Sequence, residues 1–271
     1  MVGIFMKLGF IMAYNEENWI GYAIEQARKI CDKVIISEGS QFVNFSNIPE
    51  RSTDGTLDVI SDKISQYPDF IEVQNSVRTH QNYRKNQCEN FNLALSKANL
   101  DDYFIPLDAD EYYSDSFLKY INNTTDEGKV DRLISYGHLY GFSFKWRIHF
   151  DNATRWKKDI LFKVVPGCQF IPTHIPSGFG SNVVEYDKDV IFHYTWLKPT
   201  ERLRTRFTTS NFHPGMLNWF NTTWNTIKLQ DRLQKPSYKN GTFTLTRYEG
   251  EHPAVLNNHP WRKIEDIRKW K

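Results

Sequence analysis

The first 110 residues alternate short apolar runs with amphipathic stretches, and this alternation narrows the possible folds more than any other feature of the chain. A short apolar run followed by apolar residues at three- and four-residue spacing reads as a strand and then a helix. Its repetition calls for a parallel sheet, because a helix must carry the chain back before the next strand begins. Lys7–Ala13 reads as the first strand. Residues 17–30 follow directly, with Ile20, Ala23, Ile24, Ala27 and Ile30 on one helical face. Val34–Ser37 is the second strand, and Leu57, Ile60 and Ile64 mark a second helix that Thr53 or Asp54 can cap. Phe70–Val73 is the third strand and 82–98 a longer helix. Tyr103–Leu107 is the fourth strand, and it breaks off in Asp108-Ala109-Asp110-Glu111. The predicted class is α/β, with a mostly parallel central sheet flanked by helices.

Beyond residue 112 the pattern turns to strands and aromatic-rich loops, with strands predicted over 132–136, 142–150, 160–165 and 190–194. From Pro199 onward it becomes helical and basic, in ERLRTRF and then WNTIKLQDRLQ. The expected organisation is a core over 1–197, with 1–111 and 112–197 as its two halves, and a basic, helical C-terminal extension over 198–271. Charge follows the same division. Residues 1–195 hold 20 Lys/Arg against 26 Asp/Glu, a net −6, whereas 196–271 hold 14 against 6, a net +8. Such a basic part suits the phosphates of a nucleotide, an anionic acceptor or nucleic acid, or simply balances the acidic half.

A chain of 271 residues that is 40% hydrophobic and 24% charged can bury a sizeable core without metal or disulfide staples. Its three cysteines, Cys31, Cys88 and Cys168, are odd in number and lack C-x-x-C spacing, which argues against a disulfide framework or a Cys-rich zinc site. They imply a reducing, cytoplasmic setting. No stretch approaches the roughly 18 apolar residues of a membrane span, so no transmembrane segment is expected.

The acidic cluster is where chemistry is first legible. Two carboxylates one residue apart at a strand's carboxyl end can hold a divalent cation against a diphosphate, and hard oxygen ligands suit Mg²⁺ or Mn²⁺. In open α/β sheets the ligand crevice lies at those carboxyl ends. An acidic triplet also suits a solvated turn.

Taken in order, IMAYNEE (11–17), Glu38-Gly39-Ser40, STDGT (52–56), RKNQCENFNLAL (84–95) and LDADE (107–111) resemble the family 2 glycosyltransferases of the GT-A fold. The resemblance covers about residues 7–111 and extends weakly to about 197. It implies that Tyr14, Asn15 and Glu16 lie against the nucleoside of a nucleotide-sugar donor, UDP-sugar by family habit. Glu38 stands where the family usually has Asp, and either Ser40 or Asp54 matches the next polar position. Asp108, Ala109 and Asp110 would hold the diphosphate through Mn²⁺ or Mg²⁺. Arg84 and Asn86 either approach the phosphates or donor sugar, or form a solvent-facing helix start.

His193, after a strand-like run, resembles the late histidine that completes metal or diphosphate binding in many GT-A enzymes, giving Asp108, Asp110 and His193 as the implied metal ligands. Transfer with inversion, implied by the resemblance, needs a carboxylate base. Related transferases often place a His-Glu pair where this chain has His174-Ile175, which leaves Glu111 and Glu185 as candidate catalytic bases. Trp146, Trp156 and Trp196 are candidate sugar platforms. The acceptor is expected to be a saccharide or lipid-linked glycan. The alternatives are modified bases in DNA met by the basic extension, and a degenerate transferase serving as a carbohydrate- or nucleotide-binding module.

Overall fold

The computed structural model describes residues 5–42, 48–150, 155–171, 176–209, 215–229, 237–238 and 241–269. His174 and Ile175 lie outside the described residues. In chain order the elements are β1 (Lys7–Ala13), α1 (Ile20–Ala27), β2 (Lys33–Glu38), α2 (Thr56–Gln66), β3 (Ile71–Asn75), α3 (Tyr83–Leu95), β4 (Tyr103–Asp108), β5 (Glu111–Tyr113) and α4 (Asp115–Asp126). There follow β6 (Arg132–Gly141), β7 (Trp146–Phe150), β8 (Trp156–Lys163), β9 (Gln169–Phe170), β10 (Pro176–Ser177) and β11 (Val183–Trp196). The last are α5 (Thr200–Thr209), α6 (Gly215–Trp219), β12 (Ser237–Tyr238) and β13 (Gly241–Arg247).

Contacts divide the chain into two compact units, 1–135 with 158–187 and 136–157 with 188–271. In the first unit, β1 pairs in parallel with β2 and with β4, β2 pairs in parallel with β3, and β8 closes on β4 antiparallel through Tyr103 opposite Lys163. The spatial order is therefore β3-β2-β1-β4-β8, a mostly parallel sheet. The chain winds outward from β1 to β3 and then returns to the other side of β1 as β4. That reversal opens a crevice at the carboxyl ends of β1 and β4.

Side-chain alternation along each strand gives the sheet two apolar faces. Leu8, Phe10, Ile35 and Phe104 form one core with Ala94 and Leu95 of α3 and with Phe162 and Phe170. Helix α1 forms because Ile20, Ala23, Ile24 and Ala27 repeat at helical spacing, and all four are buried. Asn82 caps α3 by accepting the Arg84 N–H, and Ser114 caps α4 by accepting the Phe117 N–H. Gly55 is the residue preceding α2, and the neighbouring Asp54 carboxylate receives the Thr56 N–H at 3.0 Å.

In the second unit, β7 pairs antiparallel with β6 and β13, and β13 with β12. Its core is aromatic: Phe142, Trp146, Trp196, Trp219, Phe220 and Trp224 pack together. Trp146 and Trp196 are thereby core residues and not sugar platforms. The strand expected from 142 starts only at Trp146, because Phe142 adopts φ +66° in a turn. Of the helix expected over 224–234, residues 225–229 are not helical and follow a wide helical turn at Phe220–Trp224, while 230–234 lie outside the described residues. Among the described residues no helix is long and apolar enough to cross a membrane.

Candidate active site

The crevice at the ends of β1 and β4 is built on backbone geometry first. Met12 lies opposite Asp108 in the β1–β4 register, so the turn after β1 and the acidic cluster after β4 leave the sheet side by side. Asn15 takes φ +53°, a conformation that Asn tolerates better than most residues, and the turn folds back over residues 52–56. The Asn15 N–H donates to Ser52 Oγ (2.8 Å), the Glu16 N–H to Thr56 Oγ1 (2.6 Å), and the Thr53 N–H to Asn15 Oδ1 (2.7 Å). Tyr14 donates its hydroxyl to the Pro49 carbonyl at 3.0 Å. Two of the expected motifs, the A-Y-N-E turn and S-T-D-G-T, thus form one hydrogen-bonded platform.

Glu38, at the end of β2, is wholly buried. Its carboxylate accepts the Ser52 N–H at 2.8 Å and pairs with Arg51, so it anchors the same platform from below. Gly39 follows at φ +124°, where a Cβ would stand 2.7 Å from the Glu50 carbonyl oxygen, and only glycine permits the chain to cross there. Asn86 is also fully buried. It accepts the His80 N–H and donates to the carbonyls of Gln41 and His80, each at 2.8 Å, which fixes the loop ahead of α3. Arg84 is exposed at the start of α3, its guanidinium 5.4 Å from the Tyr83 ring.

At the end of β4, Asp108 is half-buried, while Ala109, Asp110 and Glu111 are buried. Two hydrogen bonds from Gln26 hold the short strand β5 against α1: Gln26 Nε2 donates to the Glu111 carbonyl at 3.1 Å, and the Tyr113 N–H donates to Gln26 Oε1 at 2.6 Å. The Tyr112 hydroxyl reaches the carbonyls of Trp19 (2.8 Å) and Ala109 (2.9 Å), tying the start of α1 to the acidic turn. Burial, with Asp110 and Glu16 adding to it, raises the Tyr112 pKa well above its ordinary value, so its hydroxyl stays neutral and donates.

Lys158, from β8, lies among these carboxylates. Its ammonium is 3.0 Å from Asp108 Oδ2 and 2.7 Å from Glu111 Oε1. Burial alone would depress its pKa, but the two carboxylates outweigh that and raise it, so Lys158 is charged. Tyr113 donates to the same Glu111 oxygen at 3.0 Å, and burial together with Glu111 holds its phenol neutral. One oxygen of Asp108 and one of Glu111 lie within 4.8 Å of each other, a separation and donor type that suit a hard divalent cation.

Glu185 is exposed on β11. His193 belongs to the second unit, where it is half-buried with its ring 4.9 Å from that of Trp156. Sequence reasoning missed Lys158 and Gln26. Lys158 sits in a strand that reads WKKD, where two adjacent lysines give no sign of which turns inward. Gln26 is a polar residue among the apolar residues of α1, and that interruption was the available signal.

A parallel sheet with this winding, and an acidic turn where its order reverses, is the GT-A arrangement of glycosyltransferases. The family model described as glycosyl transferase family 2 matches residues 10–180, and the chain belongs to that family. Among solved structures, TarS of S. aureus (residues 1–349) is 12% identical with a TM-score of 0.42, covering 82% of this chain and 73% of that one. Glucosyl-3-phosphoglycerate synthase from Mycobacterium tuberculosis, solved with Mn²⁺, UDP and glucosyl-3-phosphoglycerate, is 15% identical with a TM-score of 0.34, covering 50% and 44%. A 4-diphosphocytidyl-2C-methyl-D-erythritol synthase is 9% identical with a TM-score of 0.36, covering 70% and 76%. Scores this low add nothing to the topology already described. No curated protein matches the chain in sequence.

Proposed function

We propose that this glycosyltransferase moves a sugar from a nucleotide-sugar donor, UDP-sugar by preference, to a hydroxyl of a saccharide or lipid-linked glycan, with inversion. The observation that carries this reading is the juxtaposition of the 14–16 turn with the Asp108–Asp110 turn at the point where the strand order reverses. Tyr14, Asn15 and Glu16 would take the nucleoside, with Glu38 holding the platform beneath it. Asp108 and Asp110 would hold Mn²⁺ or Mg²⁺, whose charge offsets that of the departing diphosphate. The resemblance adds His193 to that set. Residues 1–197 would then be the catalytic part and 198–271 its basic extension.

The acceptor hydroxyl needs a base, and the two candidates differ in setting. Glu185 is exposed, whereas Glu111 is enclosed and engaged by Lys158 and Tyr113. Replacing the true base with Gln should cut transfer by about 10²- to 10⁴-fold while nucleotide affinity stays near native. If neither Glu111→Gln nor Glu185→Gln does so, both assignments fail.

The resemblance to family 2 glycosyltransferases favours a saccharide acceptor over DNA. Of the three arginines of α5, Arg204 pairs with Glu201 at 2.7 Å and Arg206 bonds Thr195, so two are engaged within their own unit. Titration calorimetry with UDP, with and without Mn²⁺, tests the central reading. Native protein should bind UDP more tightly with Mn²⁺, and Asp110→Asn should lose that gain while keeping its fold. Equal affinity in the variant, or no UDP binding by native protein, would refute the assignment.

A further inference from the structure

The Lys158 ammonium bridges Asp108 and Glu111. A single ammonium holds Asp108 and Glu111 at 3.0 and 2.7 Å, with the lysine side chain 14% exposed and that of Glu111 fully enclosed. Such a bridge places one positive charge between the two carboxylates whose oxygens also suit a divalent ion. The two cations compete for Asp108, because like charges a few ångströms apart in a partly buried site repel strongly. Glu111 cannot leave the bridge easily. Its backbone is clamped by Gln26, its carboxylate also receives the Tyr113 hydroxyl, and an enclosed carboxylate without a cation is costly. Asp108 is the more exposed partner, with its side chain 38% accessible.

We infer that Lys158 is a resident counter-ion of the Asp108/Glu111 pair, and that a divalent ion binds Asp108 only by displacing the lysine ammonium, which stays on Glu111. This rests on the reading of Asp108 as a metal ligand. Lys158 is then a positioning residue: it holds the carboxylates in place without metal and sets a threshold for metal entry. The bare protein binds divalent cations weakly, and a nucleoside diphosphate lowers the threshold by bringing its own negative charge.

Binding of Mn²⁺ to the full chain, followed by the paramagnetic resonance of free Mn²⁺ without nucleotide, tests this. Removing a unit charge within about 4 Å, at an effective dielectric near 20, should tighten binding at least about tenfold. Lys158→Met should show that gain, and Lys158→Arg, which keeps the charge, should not. Because Lys158→Met takes the counter-ion from an enclosed carboxylate, Lys158→Met/Glu111→Gln serves beside it. That pair of changes preserves the net charge of the cluster while removing the ammonium from Asp108, so tighter Mn²⁺ binding there reports displacement and not bulk charge.

In native protein carrying ¹⁵N-lysine, the Lys158 Nζ resonance should move when Mg²⁺ and UDP are added together. A folded double variant with native Mn²⁺ affinity, an arginine variant as tight as the methionine one, or an unmoved Nζ resonance would each overturn the inference. If UDP-bound native protein still takes up Mn²⁺ in those cases, the proposed function stands and only the role of Lys158 falls. If neither native protein nor any variant binds Mn²⁺ with UDP present, both fall.

Discussion

Gln26→Leu removes the clamp on β5, and its cost can be worked from two hydrogen bonds. Gln26 is fully buried and pairs with the Glu111 carbonyl and the Tyr113 N–H. Leucine takes the amide partner from both buried backbone groups, at about 1–3 kcal/mol each. Burying a leucine where an amide stood returns about 1–2 kcal/mol. The midpoints of these ranges leave a net loss of about 2.5 kcal/mol, concentrated in β5. Because the chain has two compact units, a single global unfolding midpoint would blur a local effect. Amide hydrogen exchange at Tyr113 reads it directly: about 2 kcal/mol or more corresponds to roughly 30-fold faster exchange if the strand opens locally. Since Asp110 directly precedes β5, UDP affinity in the presence of Mn²⁺ should fall as well. A Tyr113 amide that exchanges within threefold of native would refute the claim that this side chain holds the acidic turn in place.

Gly39→Ala should destabilise the protein by more than about 1 kcal/mol, because the residue has φ +124° and an added Cβ would meet the Glu50 carbonyl; an unchanged thermal midpoint would contradict this. His138 and His252, mainly through burial, have pKa values lowered to about 4 and about 3, so the unfolded chain takes up protons below pH 6.5 that the folded chain does not. Stability should therefore be intact above about pH 6.5 and fall below it by up to about 1.4 kcal/mol per pH unit for each histidine, down to about pH 4 for His138 and about pH 3 for His252. Denaturation midpoints measured across that window, with a shallower slope in His252→Gln, check it.

Local pattern determined much of the fold. The first strand occupies Lys7–Ala13 as read from its apolar run, the helices α1, α2 and α3 follow their three- and four-residue apolar spacing, and β4 ends at the acidic cluster. These features depend on residues close together in the chain, where propensity and periodicity act. The family was legible for a related reason: its motifs fall at strand ends, where backbone geometry restricts which residues fit, as at Asn15 and Gly39. Tertiary structure alone decided the rest. Lys158 meets Asp108 across 50 residues and Gln26 meets Glu111 across 85, and no local signal identifies such partners. Trp146 and Trp196 looked free to stack on sugars, but whether an aromatic residue faces solvent or core depends on what packs over it. Here Trp219 and Trp224 do. An ion pair, a buried amide clamp and an aromatic core depend on which distant segments the sheet topology brings together, and that is settled only when the chain has folded.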